Sequence, residues 1–204
     1  MGVIKMHKGT IKIQTGAINW DSLDTFPINR LYWSEKTDIT AEAKICYDTS
    51  FLYVQLSARE THIRAEESGP LGLPCEDSCL EFFLSPEPED KRYLNFEINP
   101  NGCIYSGIAT SIDDLLRLVP ENQNLFHPQT ERTKNGWTAT LQIPFSYLRM
   151  FFPNFEATPG KRVLANFYKC GDKTVLPHFL SWNELTSPVP NFHRPCDFGE
   201  LYFE

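Results

Sequence analysis

Apolar and polar residues alternate with a period of two in segment after segment of this chain. That pattern confines it to strands that turn one face toward a core. In FLYVQLSAR at 51–59, Leu52, Val54, Leu56 and Ala58 form one row, and Tyr53, Gln55, Ser57 and Arg59 form the other. AEAKICYD at 41–48 precedes it, and Asp48-Thr49-Ser50 reads as the tight polar turn of a hairpin. DSCLEFFLSP at 77–86 sets Leu80, Phe82 and Leu84 against Cys79, Glu81 and Phe83. KRYLNFEINPNG at 91–102 sets Leu94, Phe96 and Ile98 against Tyr93, Asn95, Glu97 and Asn99, and Pro100-Asn101-Gly102 closes it. Further strands are expected in CIYSGIA at 103–109, WTATLQI at 137–143, KRVLANFYKC at 161–170, HFLSW at 178–182 and FGELYFE at 198–204. Ser111 reads as a helix cap, with Asp113 and Asp114 in the first turn and Ile112, Leu115, Leu116 and Val119 as an apolar side. FSYLRMFF reads as a short helix stopped by Pro153, while 60–76 and 120–135 read as loops. No long amphipathic helix separates the strands, so a parallel α/β fold is excluded. The expected fold is all-β, an antiparallel β-sandwich with short helical insertions, forming a single domain over residues 1–204. Leu80, Phe82, Leu94, Phe96, Leu141 and Phe167 are expected in its core.

The chain is long enough to bury that core, and its 41% hydrophobic and 22% charged residues are those of a globular protein. Nineteen basic against 26 acidic residues give a net charge of -7, which argues against a phosphate-tracking surface and hence against a nucleic-acid partner. No apolar run approaches a membrane-spanning length. The opening MGVIKMHKGT does not read as a signal peptide, so a cytoplasmic location is expected. Cys46, Cys75, Cys79, Cys103, Cys170 and Cys196 lie mostly in apolar runs, and no obligatory disulfide is expected among them.

The sequence lacks a G-x-S-x-G elbow, a phosphate loop, a G-x-G-x-x-G turn and an H-E-x-x-H zinc motif. Two patterns carry chemistry. Glu81 and Glu97 occupy the less apolar rows of neighbouring strands, which is one requirement of a glycan-hydrolysing enzyme. The same rows also suit passive sugar recognition: Glu81, Tyr93, Asn95, Glu97, Asn166 and Tyr168 offer hydrogen bonds and rings from a rigid sheet. Trp182 lies beside the proline-rich loop TSPVPNFHRP, and Phe192, His193 and Arg194 lie within it. Together they could form an aromatic rim.

DSCLEFFLSP, then YLNFEINPNG, then WTATLQIPF, with NFHRPCDFGELYF at the end, together resemble carbohydrate-binding module family 9 and the DOMON-like β-sandwich group, from about residue 40 to the C-terminus. The resemblance implies a non-catalytic module, active in polysaccharide catabolism, that grips glucose- or xylose-containing oligosaccharides or polysaccharides and is often joined to a glycoside hydrolase. It places the family's acidic-strand glutamate on Glu81 and its C-terminal ring on Phe192. The family's arginine position falls on Glu97, and the second ring expected near Pro74 and Cys75 is missing, so a protein-interaction domain with a decayed sugar site is the remaining alternative. No cofactor is implied. Members of the group hold structural calcium, and Asp21, Asp24 and Asp48 lie near turns, but their spacing defines no ligand set and no metal residue is assigned.

Overall fold

The computed structural model describes residues 6–204. Residues 1–5, part of the opening segment that does not read as a signal peptide, lie outside the described residues. The strands are β1 (Lys8–Ile13), β2 (Phe26–Ile28), β3 (Arg30–Tyr32), β4 (Thr40–Tyr47), β5 (Phe51–Arg59), β6 (Cys79–Ser85), β7 (Tyr93–Ile98), β8 (Ile104–Ala109), β9 (Leu116–Leu118), β10 (Gln129–Thr133), β11 (Gly136–Pro144), β12 (Arg162–Cys170), β13 (Phe179–Ser181) and β14 (Gly199–Phe203). One α-helix, α1 (Phe145–Phe151), follows β11. No helix among the described residues is long and apolar enough to cross a membrane.

The strands form one continuous path in the order β10-β11-β5-β4-β1-β14-β12-β6-β7-β8-β9, with β2 on β4, and β3 and β13 beside β12. Strand β1 joins the two halves. Its first residues pair with β14 and its last two with β4, and both pairings are parallel where all others are antiparallel. The sheet is therefore mixed, because a single strand running between the halves takes its direction from both. The sheet curls so that its halves share one apolar core: Phe96 of β7 packs near Tyr147 of α1, and Phe26 of β2 packs against Phe167 of β12. Leu80, Phe82, Leu94, Phe96, Leu141 and Phe167, all expected in the core, are fully buried.

The hairpin turn before β5 is built as the sequence implies. Asp48 Oδ1 accepts from the backbone N–H groups of Ser50 and Phe51, at 2.7 and 2.8 Å. The expected helix after Ser111 is cut to a single 3-10 turn, Ile112–Asp114. Ser111 and Asp114 form a capping box there, but Leu116–Leu118 pairs with β8 as β9 instead of continuing the turn. Ile112, Leu116 and Val119 stay exposed, so no buried face existed to extend a helix. Strand β10 occupies part of the segment read as loop.

The larger departure from the sequence reading lies on the outer face of β6, β7 and β12. The less apolar rows are covered as fully as the core rows: every residue of β6 and β7 is buried. A second apolar cluster of Phe83, Tyr93, Tyr168, Leu185, Phe192 and Phe198 sits there, because the segment after β13 folds back as a cover.

Candidate functional site

The cover is held by polar side chains. The Asp197 carboxylate accepts from the backbone N–H and the hydroxyl of Thr186, at 3.0 and 2.8 Å, and from Arg194 Nε at 3.0 Å. Asn183 and Asn166 both donate to the Asp197 carbonyl, and Asn166 Oδ1 accepts from the Asn183 N–H. Thus pinned, the loop lays Phe192 flat on Tyr168, with centroids 4.2 Å apart and planes 11° apart, while the Tyr168 hydroxyl donates to the Phe192 carbonyl.

Beside this cover lies a cleft of about 450 Å³. Its floor is acidic. Glu81 and Glu97 stand directly opposite each other on β6 and β7, 3% and 6% exposed, and both line the opening. Cys170 donates its S–H to Glu81 Oε1 at 2.9 Å, and Asn95 Nδ2 donates to Glu97 Oε1 at 2.9 Å. Asn95 Oδ1 is buried without a hydrogen-bond partner and sits over Gly107, where a Cβ would come within 2.6 Å of it. Burial, reinforced by the facing Glu97, raises the Glu81 pKa well above the carboxylate range. Burial also lifts Glu97 to about 7, with Asp172 adding to the effect while the Asn95 hydrogen bond and the charge of Arg117 oppose it. The two carboxyls therefore titrate as a unit that retains protons toward neutrality. Asp172, at the cleft margin, is raised by burial and by Glu76.

One wall is aromatic. Trp33, Phe179 and Phe192 meet pairwise with centroids 5.8–6.1 Å apart. Trp33 has φ 49°, in a region that bulky residues rarely adopt, and its indole N–H donates to the Ser187 carbonyl at 2.9 Å. His193 also lines the cleft, bonded through Nδ1 to the Tyr93 hydroxyl at 2.8 Å, and burial lowers it to about 4, leaving the ring neutral at physiological pH. A second cleft, of about 470 Å³, lies at the other half of the sheet; its sole aromatic, Trp137, is 1% exposed and offers no ring to a ligand.

Of the residues singled out in the sequence, the cleft brings together Glu81, Glu97, Phe192 and His193. Tyr93, Asn95 and Tyr168 stand behind them as supports. Trp182 is removed from the site. It lies in the interior, edge-on to Phe26 and Phe167 and 3% exposed, because its end of β13 faces the core. Asn166 and Arg194 are likewise consumed in holding the cover through Asp197. Sequence reasoning missed Trp33, Cys75, Cys170, Asp172, Phe179 and Asn191. Cys170 and Asp172 continue the row Asn166, Tyr168 by twos, so the same alternation reaches them. Trp33 has no local signal, since the pairing of β3 with β13 carries it in. The acidic residues considered for calcium have other partners: Asp24 pairs with Lys12, Asp21 lies 4.0 Å from Lys44, and Asp48 binds the hairpin turn.

The model of carbohydrate-binding family 9 matches residues 12–203. The chain is similar in structure to a candidate carbohydrate-binding protein from Bacteroides uniformis ATCC 8492, with TM-score 0.84 and 26% identity, covering 98% of this chain and 100% of that one. It is also similar to a family 9 carbohydrate-binding module from Caldicellulosiruptor kristjanssonii. The cellotriose complex of that module gives TM-score 0.70 at 14% identity, covering 97% and 94% of the two chains. Its glucose complex gives 0.69 at 15%, covering 97% and 96%. At those identities the likeness to the module is one of fold alone. No curated protein matches the chain at a significant level. The match over nearly the whole length of the chain leads to one assignment: the chain belongs to carbohydrate-binding family 9.

Proposed function

We propose that the cleft binds a carbohydrate without cleaving it, and that the ligand is an oligosaccharide or polysaccharide containing glucose or xylose. One observation carries this reading: two carboxyls, groups able to accept from sugar hydroxyls, form the floor, and the aromatic wall of Trp33, Phe179 and Phe192 rises beside them, as a sugar with polar edges and an apolar C–H face requires. Membership of family 9 supports it, as do the cellotriose- and glucose-bound structures of the related module. The two halves of the curled sheet then serve as the layers of a sandwich, with the ligand held on an outer face. Trp33 takes the place of the ring that the sequence lacks before β6. Attachment to, or cooperation with, a glycoside hydrolase in a reducing compartment completes the reading.

The opposed carboxyls also favour comparison with hydrolysis. A glycosidase needs its two carboxyls on either side of the scissile bond. Glu81 and Glu97 rise side by side from adjacent strands of one floor, an arrangement better suited to holding hydroxyls. The test is a glycan array followed by titration calorimetry. Measured at about pH 8, above the raised value of about 7 so that Glu97 is ionised, Glu97→Gln is expected to weaken binding roughly 10- to 150-fold, the equivalent of about 1.5–3 kcal/mol for a charge-assisted hydrogen bond. Trp33→Ala is expected to weaken it as well. Affinity unchanged in both variants would remove the cleft as the site, and turnover of the bound glycan, lost in Glu97→Gln, would establish an enzyme instead.

A further inference from the structure

We propose that Cys79, Cys170 and Glu81 form a binding site for a soft divalent cation of the zinc class at the floor of the cleft. Cys79 and Cys170 are register partners on β6 and β12, and Glu81 follows Cys79 on the same face. The two sulfur atoms and a carboxylate oxygen lie within 4.8 Å of one another, and all three residues are buried. Tetrahedral zinc, with bonds of about 2.3 Å to sulfur and about 2.1 Å to oxygen, sets its ligand atoms roughly 3.5–3.8 Å apart, so small rotamer adjustments close the cluster on an ion. The donor set selects the metal: thiolates with one carboxylate suit zinc and its heavier congener cadmium, and not calcium, which takes six or more oxygens.

A second observation points to a cation independently of this cluster. Glu97 and Asp172 line the cleft alongside Glu81, and among the described residues no lysine or arginine lines it. The basic groups behind the floor are engaged elsewhere. Lys169 binds Glu60, His178 and the Cys170 carbonyl, and Arg117 binds the carbonyls of Pro70, Leu71 and Gly72. The floor thus presents carboxyls and thiols to the opening with no basic side chain of the described residues among them. A divalent ion binds there by displacing the protons of its ligands. Each thiol that ligates it releases one proton to solvent, as does Glu81 where it is protonated, so charge balances without any redox step. Three protein ligands leave one tetrahedral position, on the side where Glu81 and Cys170 line the cleft; Cys75 lines the same cleft.

This site does not depend on the carbohydrate reading, and its test uses metal alone. The full chain, reduced and stripped with a chelator, is titrated with Cd²⁺ for its ultraviolet thiolate-to-cadmium band and with Zn²⁺ by calorimetry. One ion per chain is expected, with proton release seen as a dependence of the heat on buffer. Cys170→Ser and Cys79→Ser are expected to weaken Zn²⁺ by roughly 100-fold or more, and Cys196→Ser, which changes an exposed thiol, to leave it unchanged. The parent's own spectrum decides the matter even where a variant fails to fold. No charge-transfer band at one equivalent overturns the proposal, as does a band that survives both substitutions or is lost only in Cys196→Ser. Glycan binding by the stripped chain is measured separately, so failure of either reading leaves the other standing.

Discussion

Lys169 has no exposed surface, yet it carries a charged group into the interior. Its Nζ lies 3.2 Å from Glu60 Oε1 and 2.7 Å from His178 Nε2, and it donates to the Cys170 carbonyl at 2.9 Å. Glu60 also accepts from Trp137 Nε1 and from the Ser78 hydroxyl. Burial and the neighbouring Lys169 lower His178 to about 4, so this ring is neutral and accepts from the lysine. Every charge in the group is answered, and removing one partner leaves the other stranded. Lys169→Met is expected to destabilise by about 3–5 kcal/mol in chemical unfolding, and adding Glu60→Gln is expected to recover part of that loss. Lys169 continues the core row Val163, Ala165, Phe167, where alternation calls for an apolar residue, and a single sequence does not reveal the partner waiting across the sheet. The same limit explains the site. Glu81 and Glu97 were legible because they stand on strongly alternating strands. Trp33 and Trp182 were not, because which face each ring takes depends on the pairings of the short strands β3 and β13.

Long strands with clean alternation, such as β5 and β11, follow from the sequence because their side-chain rows and turns agree. Short elements do so unevenly: β13 falls within the expected HFLSW segment, but β2, β3 and β9 span three residues each, too few to show a period. The start of β11 carries a constraint of its own. A Cβ on Gly136 would lie 1.9 Å from the Ala58 carbonyl oxygen, a backbone atom of the paired strand that cannot swing aside. Gly136→Ala is expected to cost roughly 1–3 kcal/mol, read as a lower denaturant midpoint. Strand β14 is tied to β1 by charge. Glu200 accepts from Lys8 at 2.7 Å, Arg162 at 3.0 Å and the Tyr202 hydroxyl at 2.9 Å, and these bonds lower its carboxyl to about 2. Because the folded value lies below the unfolded one, this stabilisation is complete above about pH 4.5 and fades as pH falls toward 2. Acid titration of stability in the parent and in Glu200→Gln checks it: the gap between them is expected to narrow across that window.

At the scale of the whole molecule, the β-rich class was legible because so many segments agree on one period, and the family because its motifs recur in order. The cover over β6, β7 and β12 was not legible. A loop that folds back through Asp197, Asn183 and Asn166 leaves no periodic trace, although its proline-rich composition marked it as irregular. All six cysteines are unpaired in the structure. Unfolding of the metal-free chain is therefore expected to show the same midpoint with and without reductant, whereas a large loss on reduction would reveal a structural disulfide.

The parallel pairing of β1 with β14 also determines how the molecule bears tension. Lys8 lies beside Glu200 and Ile11 beside Phe203, so a pull applied between His7 and Glu204 slides the two strands lengthwise. Every hydrogen bond of the pair then shares the load at once, as in a lap joint, whereas pulling the edge strand β9 away from β8 breaks its bonds one after another. Stretched along the first direction, the molecule behaves as a mechanical clamp whose failure frees both halves of the sheet together, and in single-molecule pulling it is expected to yield at a clearly higher force than along the second.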